Sequence, residues 1–143
     1  MPGSLAIIDA SIALKLVLSN ALQEQCQALI DRLLGEGLEL VAPVLWAYET
    51  TSGVCRVVHM GQLTAAEGQR ALAQMAALEV RLIPPEDLHN RRAFDWTVRL
   101  RRVAAYDSYY LALAETLQCD LWTADRRLFN AVNLPWVQLV PSS

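Results

Sequence analysis

The sequence predicts a three-layer α/β/α domain built on a parallel sheet of four or five strands. Two observations point there. Short apolar runs alternate with helical stretches along the chain, the order that strand–helix–strand units require. The runs are close to continuously apolar rather than alternating, as strands covered on both faces are. No linker, repeat or charge block divides the 143 residues, so a single domain over 1–143 is expected, with 141–143 as a disordered tail.

The first strand is Leu5-Ala6-Ile7-Ile8, ending in Asp9, and Ser11 to Leu18 follows as a short helix. Leu22 to Glu36 repeats apolar residues at Leu22, Cys26, Leu29, Ile30, Leu33 and Leu34, a helical stripe that Gly35 and Gly37 stop. Leu38 to Ala42 is a second strand closed by Pro43, and Leu45 to Met60 a helix ending at Gly61. Thr64-Ala65-Ala66-Glu67 has the spacing of a capping box and opens the next helix. Glu79 to Ile83 is a third strand, stopped by Pro84-Pro85. Helices over 86–101 and 107–117, a fourth strand over 120–123, a short helix over 126–132 and a last strand over 136–140 complete the order.

Composition excludes several classes. Apolar residues make up 54% of the chain, above the usual share for a soluble domain, so disorder is ruled out and part of the surplus is expected to cover a partner. The longest charge-free run, Leu128 to Ser143, is 16 residues and carries Asn130, Asn133, Pro135 and Gln138, too short and too polar to span a membrane. No Lys or Arg precedes Lys15, and Asp9 interrupts the first apolar segment, so no secretory signal is expected. Cys26, Cys55 and Cys119 are odd in number and far apart, and His59 and His89 stand alone. A Cys/His zinc site therefore has no visible spacing, and any metal must be held by oxygen. These features suit a cytoplasmic protein.

The net charge of −3 discourages a nucleic-acid partner at first sight. Seven of the twelve basic residues nevertheless fall between Arg91 and Arg127, and an arginine-rich face can hold phosphates bidentately. Along amphipathic helices, such arginines more often simply solvate a face.

Four acids carry the chemistry. In open parallel sheets the working crevice lies at the carboxyl ends of the strands, beside the point where strand order reverses. Asp9 ends the first strand, and Asp125 follows the fourth by one residue. Glu49 and Asp107 lie near the starts of helices that run back from that same edge. With a strand order of 3-2-1-4-5, the first and fourth strands are neighbours and the four acids converge. Singly, each Asp could be a helix cap. Glu49 is harder to read that way, since it follows Val44-Leu45-Trp46-Ala47-Tyr48 in an apolar stretch. Two carboxylates about 4 Å apart repel by about 4 kcal/mol at an effective dielectric of about 20, so a cluster of four calls for a cation. Magnesium prefers such oxygen donors. Setting the four aside leaves 11 acids against 12 basic residues, a nearly neutral remaining surface.

Four segments together resemble a PIN-domain ribonuclease of the VapC-like type, the toxins of prokaryotic type II toxin–antitoxin pairs. They are Ile7-Ile8-Asp9-Ala10-Ser11, Pro43 through Glu49, Ala105 through Glu115 with Tyr106-Asp107-Ser108-Tyr109, and Leu121-Trp122-Thr123-Ala124-Asp125-Arg126-Arg127-Leu128. The last two match in wording as well as spacing, and the likeness runs from Ile7 to about Val140. It implies an endoribonuclease dependent on Mg²⁺ or Mn²⁺, with Asp9, Glu49, Asp107 and Asp125 as its acidic pocket. Asp9, Asp107 and Asp125 would hold the metal, and Glu49 or Asp125 could orient or deprotonate the attacking water. Ser11, Thr123 and Arg126 are carried over as accessory residues. The wording around Trp46 and Tyr48 departs from the family's more polar pattern, which puts substrate contacts there in doubt.

The likeness also implies partners: an RNA substrate, a cognate antitoxin and a second copy in a homodimer. The stripe over Leu22–Leu34, with Val54, Val57 and Val58, is expected to line a groove for an amphipathic antitoxin helix. Other chemistries lack their residues. A haloacid-dehalogenase-like phosphatase needs a second Asp where Ser11 stands, a phosphate-binding loop needs Gly-Lys where Leu14-Lys15 stands, and no G-x-S-x-G or H-E-x-x-H occurs. The rival of a different class is a catalytically silent PIN fold that only binds RNA or antitoxin.

Overall fold

A computed structural model describes residues 4–102 and 105–140, so the expected tail at 141–143 lies outside the described residues. The chain order is β1 (Leu5–Ile8), α1 (Ala10–Val17), α2 (Gln23–Gly35), β2 (Glu39–Pro43), α3 (Leu45–His59) and α4 (Ala65–Ala76). There follow β3 (Arg81–Ile83), α5 (Asp87–Arg99), α6 (Tyr106–Leu117), β4 (Asp120–Thr123), α7 (Arg126–Val132) and β5 (Val137–Leu139). The five strands form one sheet in the order β3-β2-β1-β4-β5, every neighbouring pair parallel.

Successive strand residues point to opposite faces, and each face has its own core. Ile7, Val41, Leu121 and Val137 pack with Trp46 and Val54 of α3, Met75 of α4, Trp96 of α5 and Leu111 of α6. Ala6, Ile8 and Leu40 pack on the other face with Ile12 and Leu16 of α1 and Cys26, Leu29, Ile30 and Leu33 of α2.

This second core corrects the expected antitoxin groove. Leu33 is 2% exposed, and Cys26, Leu29 and Ile30 are buried beside it, with Leu22 packed against the same cluster. Leu34 alone of the stripe is exposed. Val54 is buried in the opposite core and Val58 packs against it. The stripe is wide because α1 and α2 supply all the buried helical residues of the second core, not because a partner covers it. Apolar surface that does remain exposed includes Phe94 and Val98, one turn apart on α5.

Element ends follow local chemistry. Thr64 Oγ1 accepts from the Glu67 amide at 3.1 Å while Glu67 Oε1 accepts from the Thr64 amide at 2.8 Å, the reciprocal capping box at the start of α4. Gly37 and Gly61 adopt φ of +81° and +78° just after α2 and α3, a left-handed turn that glycine makes without steric cost. The third strand begins two residues later than the apolar run suggests: Glu79 takes φ of +55°, turning the chain after α4, and pairing starts at Arg81.

Candidate active site

Asp9 stands where β1 gives way to α1. Its extended backbone and its side chain, which accepts from the Ile12 amide at 3.3 Å, make it the N-cap of α1. The local signal for a cap is therefore correct, but it does not exhaust the residue. Ser11 Oγ donates to one carboxylate oxygen at 2.5 Å and Thr123 Oγ1 donates to the other at 2.5 Å. Each hydroxyl has a single proton, so both are committed to Asp9. Each oxygen also accepts one amide, Ser11 Oγ that of Ala124 and Thr123 Oγ1 that of Asp125, both at 2.9 Å. The two hydroxyls thereby tie the segment carrying Asp125 to the end of β1.

Asp125 caps α7, its Oδ1 accepting from the amides of Arg127 at 2.9 Å and Leu128 at 3.2 Å. Glu49 lies one turn into α3, and Tyr110 of α6 donates its phenolic proton to Glu49 Oε1 at 2.7 Å. Asp107, in the first turn of α6, is 3.4 Å from the Arg102 guanidinium. Elements from both halves of the sheet thus converge on one edge, as the order β2-β1-β4 requires.

All four acids line one cleft of about 570 Å³, with Ser11, Leu14, Tyr48, Arg56, Tyr106 and Tyr110 among its other walls. Gly53 belongs to it because α1 and α3 approach closely there; a Cβ at this position would meet both methyls of Leu14 at 2.6 Å. Thr123 is fully buried and does not line the cleft, and Arg126 is exposed on α7, outside it. Trp46 is buried in the core, so within its segment Tyr48 is the aromatic ring that reaches the cleft.

The electrostatics record uncompensated negative charge. Burial pushes Asp9 up to about 6 despite the hydrogen bonds from Ser11, Thr123 and Ile12 that favour its ionised form, and the Asp107 charge adds to the rise. Glu49 is raised chiefly by burial, with the Tyr110 hydrogen bond opposing and the Asp107 charge reinforcing. Asp107 is raised by burial first; Arg102 pulls it down and the Asp125 charge pushes it up. Tyr110 is held far above its ordinary value by burial and by the neighbouring Glu49 charge, so its proton stays on the phenol.

Among the described residues, no three His, Cys, Asp or Glu side chains are gathered as a ready ligand shell. The donor set still fits Mg²⁺ or Mn²⁺, because such ions keep several waters and are commonly held through one or two carboxylates. The raised acids are the observation that favours this fit, since a cation among them would relieve the strain of holding them ionised.

Sequence reasoning missed Arg56, Tyr110 and Arg102. Arg56 was legible in principle: Glu49, Ser52, Gly53 and Arg56 recur at helical spacing and share the cleft-facing side of α3. Three of the seven arginines between Arg91 and Arg127 are engaged elsewhere, Arg91 with Asp87 at 3.0 Å, Arg92 with Glu115 at 3.6 Å and Arg99 over the Trp96 ring at 4.4 Å.

Comparison with known proteins identifies the family and the fold. The PIN domain family model matches residues 6–134. The chain is 37% identical over 122 residues to the VapC ribonuclease Mb0985 of Mycobacterium bovis, covering 85% of this chain and 87% of that protein. It matches Ribonuclease VapC9 of Mycobacterium tuberculosis at 37% with the same coverage. The crystal structure of PAE2754 from Pyrobaculum aerophilum superposes with a TM-score of 0.72 at 19% identity, over 98% of this chain and 86% of that one, a likeness of fold.

Proposed function

The chain belongs to the PIN-domain family and, within it, to the VapC ribonucleases, and from that premise we propose that it is a Mg²⁺- or Mn²⁺-dependent endoribonuclease, the toxin of a toxin–antitoxin pair. The observation that carries this reading is the convergence of Asp9, Glu49, Asp107 and Asp125 on one cleft, three of them raised by burial and like charge. Clefts that perturb several acids at once are typical of sites built for chemistry.

Asp9, Asp107 and Asp125 are the residues assigned to hold the ion. Bound there, a divalent cation polarises the scissile phosphate and lowers the pKa of a water. The remaining work falls to side chains. Tyr110 occupies Oε1 of Glu49 and leaves Oε2 able to orient or deprotonate the attacking water. Asp125, whose Oδ1 is engaged by α7, has its other oxygen for the same task. Ser11 and Thr123 act as positioning residues, since each gives its one proton to Asp9 and accepts a backbone amide of 124–125. Arg56 supplies a cation at the cleft for a phosphate.

The partners proposed are RNA, a cognate antitoxin and a second copy in a homodimer, and the proposed location is the prokaryotic cytoplasm. Three unbridged cysteines suit a reducing compartment, and no helix among the described residues is long and apolar enough to cross a membrane. The test is incubation of RNA with the purified chain in Mg²⁺ or Mn²⁺, with and without chelator, alongside Asp107→Asn. Cleavage that needs the metal and vanishes in a folded Asp107→Asn supports the reading. Wild-type cleavage by that variant overturns the site assignment, and intact RNA in either metal marks a silent binding module.

A further inference from the structure

We propose that Arg102 is an internal counter-ion for Asp107, offsetting that carboxylate while the protein is metal-free and competing with the divalent ion for it. The inference rests on the nuclease reading above and names a residue that sets how much metal the site needs. Among the described residues, the contact between Arg102 Nη1 and Asp107 Oδ2, at 3.4 Å, is the one ion pair made by any of the four acids. The other three meet neutral donors: Asp9 two hydroxyls and an amide, Glu49 a phenol, Asp125 two amides.

The pair is set up by the backbone rather than left to two loose side chains. α5 ends in a Schellman turn: Arg101 takes φ of +56°, its amide donates to the Val98 carbonyl at 3.1 Å, and the Arg102 amide reaches back to the Thr97 carbonyl at 3.1 Å. Such a turn ordinarily has glycine at the left-handed position and an apolar residue after it; here both positions are arginine. Thr97 serves the other partner too, its Oγ1 lying 2.8 Å from Oγ of buried Ser108, the neighbour of Asp107. One residue of α5 thus fixes where both members of the pair leave the backbone.

The placement suits an exchange of cations. Arg102 does not line the acidic cleft but a neighbouring cavity, with Thr97 and Tyr109, so it meets Asp107 from the α5 side while the carboxylate still lines the cleft. The contact is also weak enough to yield. It is a single nitrogen at 3.4 Å between side chains 31% and 39% exposed, so solvent attenuates it. A divalent ion carries twice the charge and draws on more than one carboxylate. The guanidinium offsets part of the negative charge that an ion uses, so each cation weakens the binding of the other.

The test uses the full chain, with Mn²⁺ binding read by calorimetry and melting curves taken in chelator and in saturating Mn²⁺. Arg102→Gln removes the charge and keeps a polar side chain; Arg102→Lys keeps the charge. Arg102→Gln should bind Mn²⁺ about fivefold more tightly than the parent, and Arg102→Lys should stay within about twofold of it. In chelator Arg102→Gln should melt below the parent, and saturating Mn²⁺ should close that gap, because tighter binding to the folded state returns what the lost pair removed. With Asp107→Asn as the starting protein, Arg102→Gln should leave the melt in chelator unmoved, since the partner charge is already gone. An equal loss there, or an equal loss with and without metal at one Mn²⁺ affinity, assigns Arg102 to the fold alone and overturns the counter-ion. Weaker Mn²⁺ binding by Arg102→Gln overturns it too, marking Arg102 as a residue that orders Asp107 for the ion. Either result beside a parent that cleaves RNA only with metal leaves the nuclease reading intact. Tightened Mn²⁺ binding in proteins that never cleave RNA supports the counter-ion and overturns the nuclease. A parent that neither binds Mn²⁺ nor cleaves RNA overturns both readings together.

Discussion

Asp9→Asn is expected to stabilise the metal-free protein near neutral pH, although it removes a group proposed for catalysis. Asp9 is 7% exposed and titrates at about 6 rather than 3.8, a rise of about 2 units, which at about 1.4 kcal/mol per unit corresponds to about 3 kcal/mol. The sign follows from the folded value lying above the unfolded one. The stabilising contribution of a protonated Asp9 is complete below about pH 4 and is lost as pH rises through about 6. An amide cannot ionise, so the variant escapes that loss. It has its own cost: Asn Oδ1 can still accept from Ser11 and Ile12, but its amide group then faces the Thr123 hydroxyl, which must turn its proton away. One compromised hydrogen bond costs about 1 kcal/mol. The net expectation is a gain of about 2 kcal/mol above pH 7, or about 6 °C in Tm for a chain of this size, and a loss of about 1 kcal/mol near pH 4. Saturating Mg²⁺ should shrink or reverse the gain, because an ion at a hundred times its Kd adds about 2.7 kcal/mol to the protein that retains the ligand. Melting curves of parent and variant across pH 4–8, in chelator and in Mg²⁺, measure both effects. A difference between the two proteins that depends neither on pH nor on metal would refute the reasoning.

Two further outcomes follow from the same geometry. Tyr110→Phe deletes the proton that favours ionised Glu49, so the Glu49 pKa should rise further and the acid limb of the cleavage–pH profile should move to higher pH; an unmoved limb would show that Glu49 does not work as a carboxylate. Leu33→Asp places an unpaired charge in the second core and should unfold the chain, read as loss of a cooperative melt, whereas a folded variant with weakened antitoxin binding would restore the groove that the structure removes.

Backbone architecture was legible in the sequence because it depends on local chemistry. Apolar runs, the Thr64–Glu67 box and the Gly37 and Gly61 stops mark the elements, and parallel strands joined by helices bring Asp9, Glu49, Asp107 and Asp125 to one edge. Periodicity also identified the apolar side of α2, but periodicity says only which residues avoid water. Whether Leu33 meets a partner or Ile8 depends on how many helices cover each face of the sheet, a property of the assembled layers. The same limit hid Tyr110, whose proton reaches Glu49 across 61 positions of sequence, whereas Arg56, seven residues after Glu49 on the same side of α3, was readable once Glu49 was placed. It also hid the part played by Ser11 and Thr123. Their residue types announce hydroxyls near an acid, but only the pairing of β1 with β4 sets both protons on Asp9 and brings both oxygens to amides of the strand end that carries Asp125, because a hydrogen bond forms between atoms a few ångströms apart in space, whatever their separation along the chain.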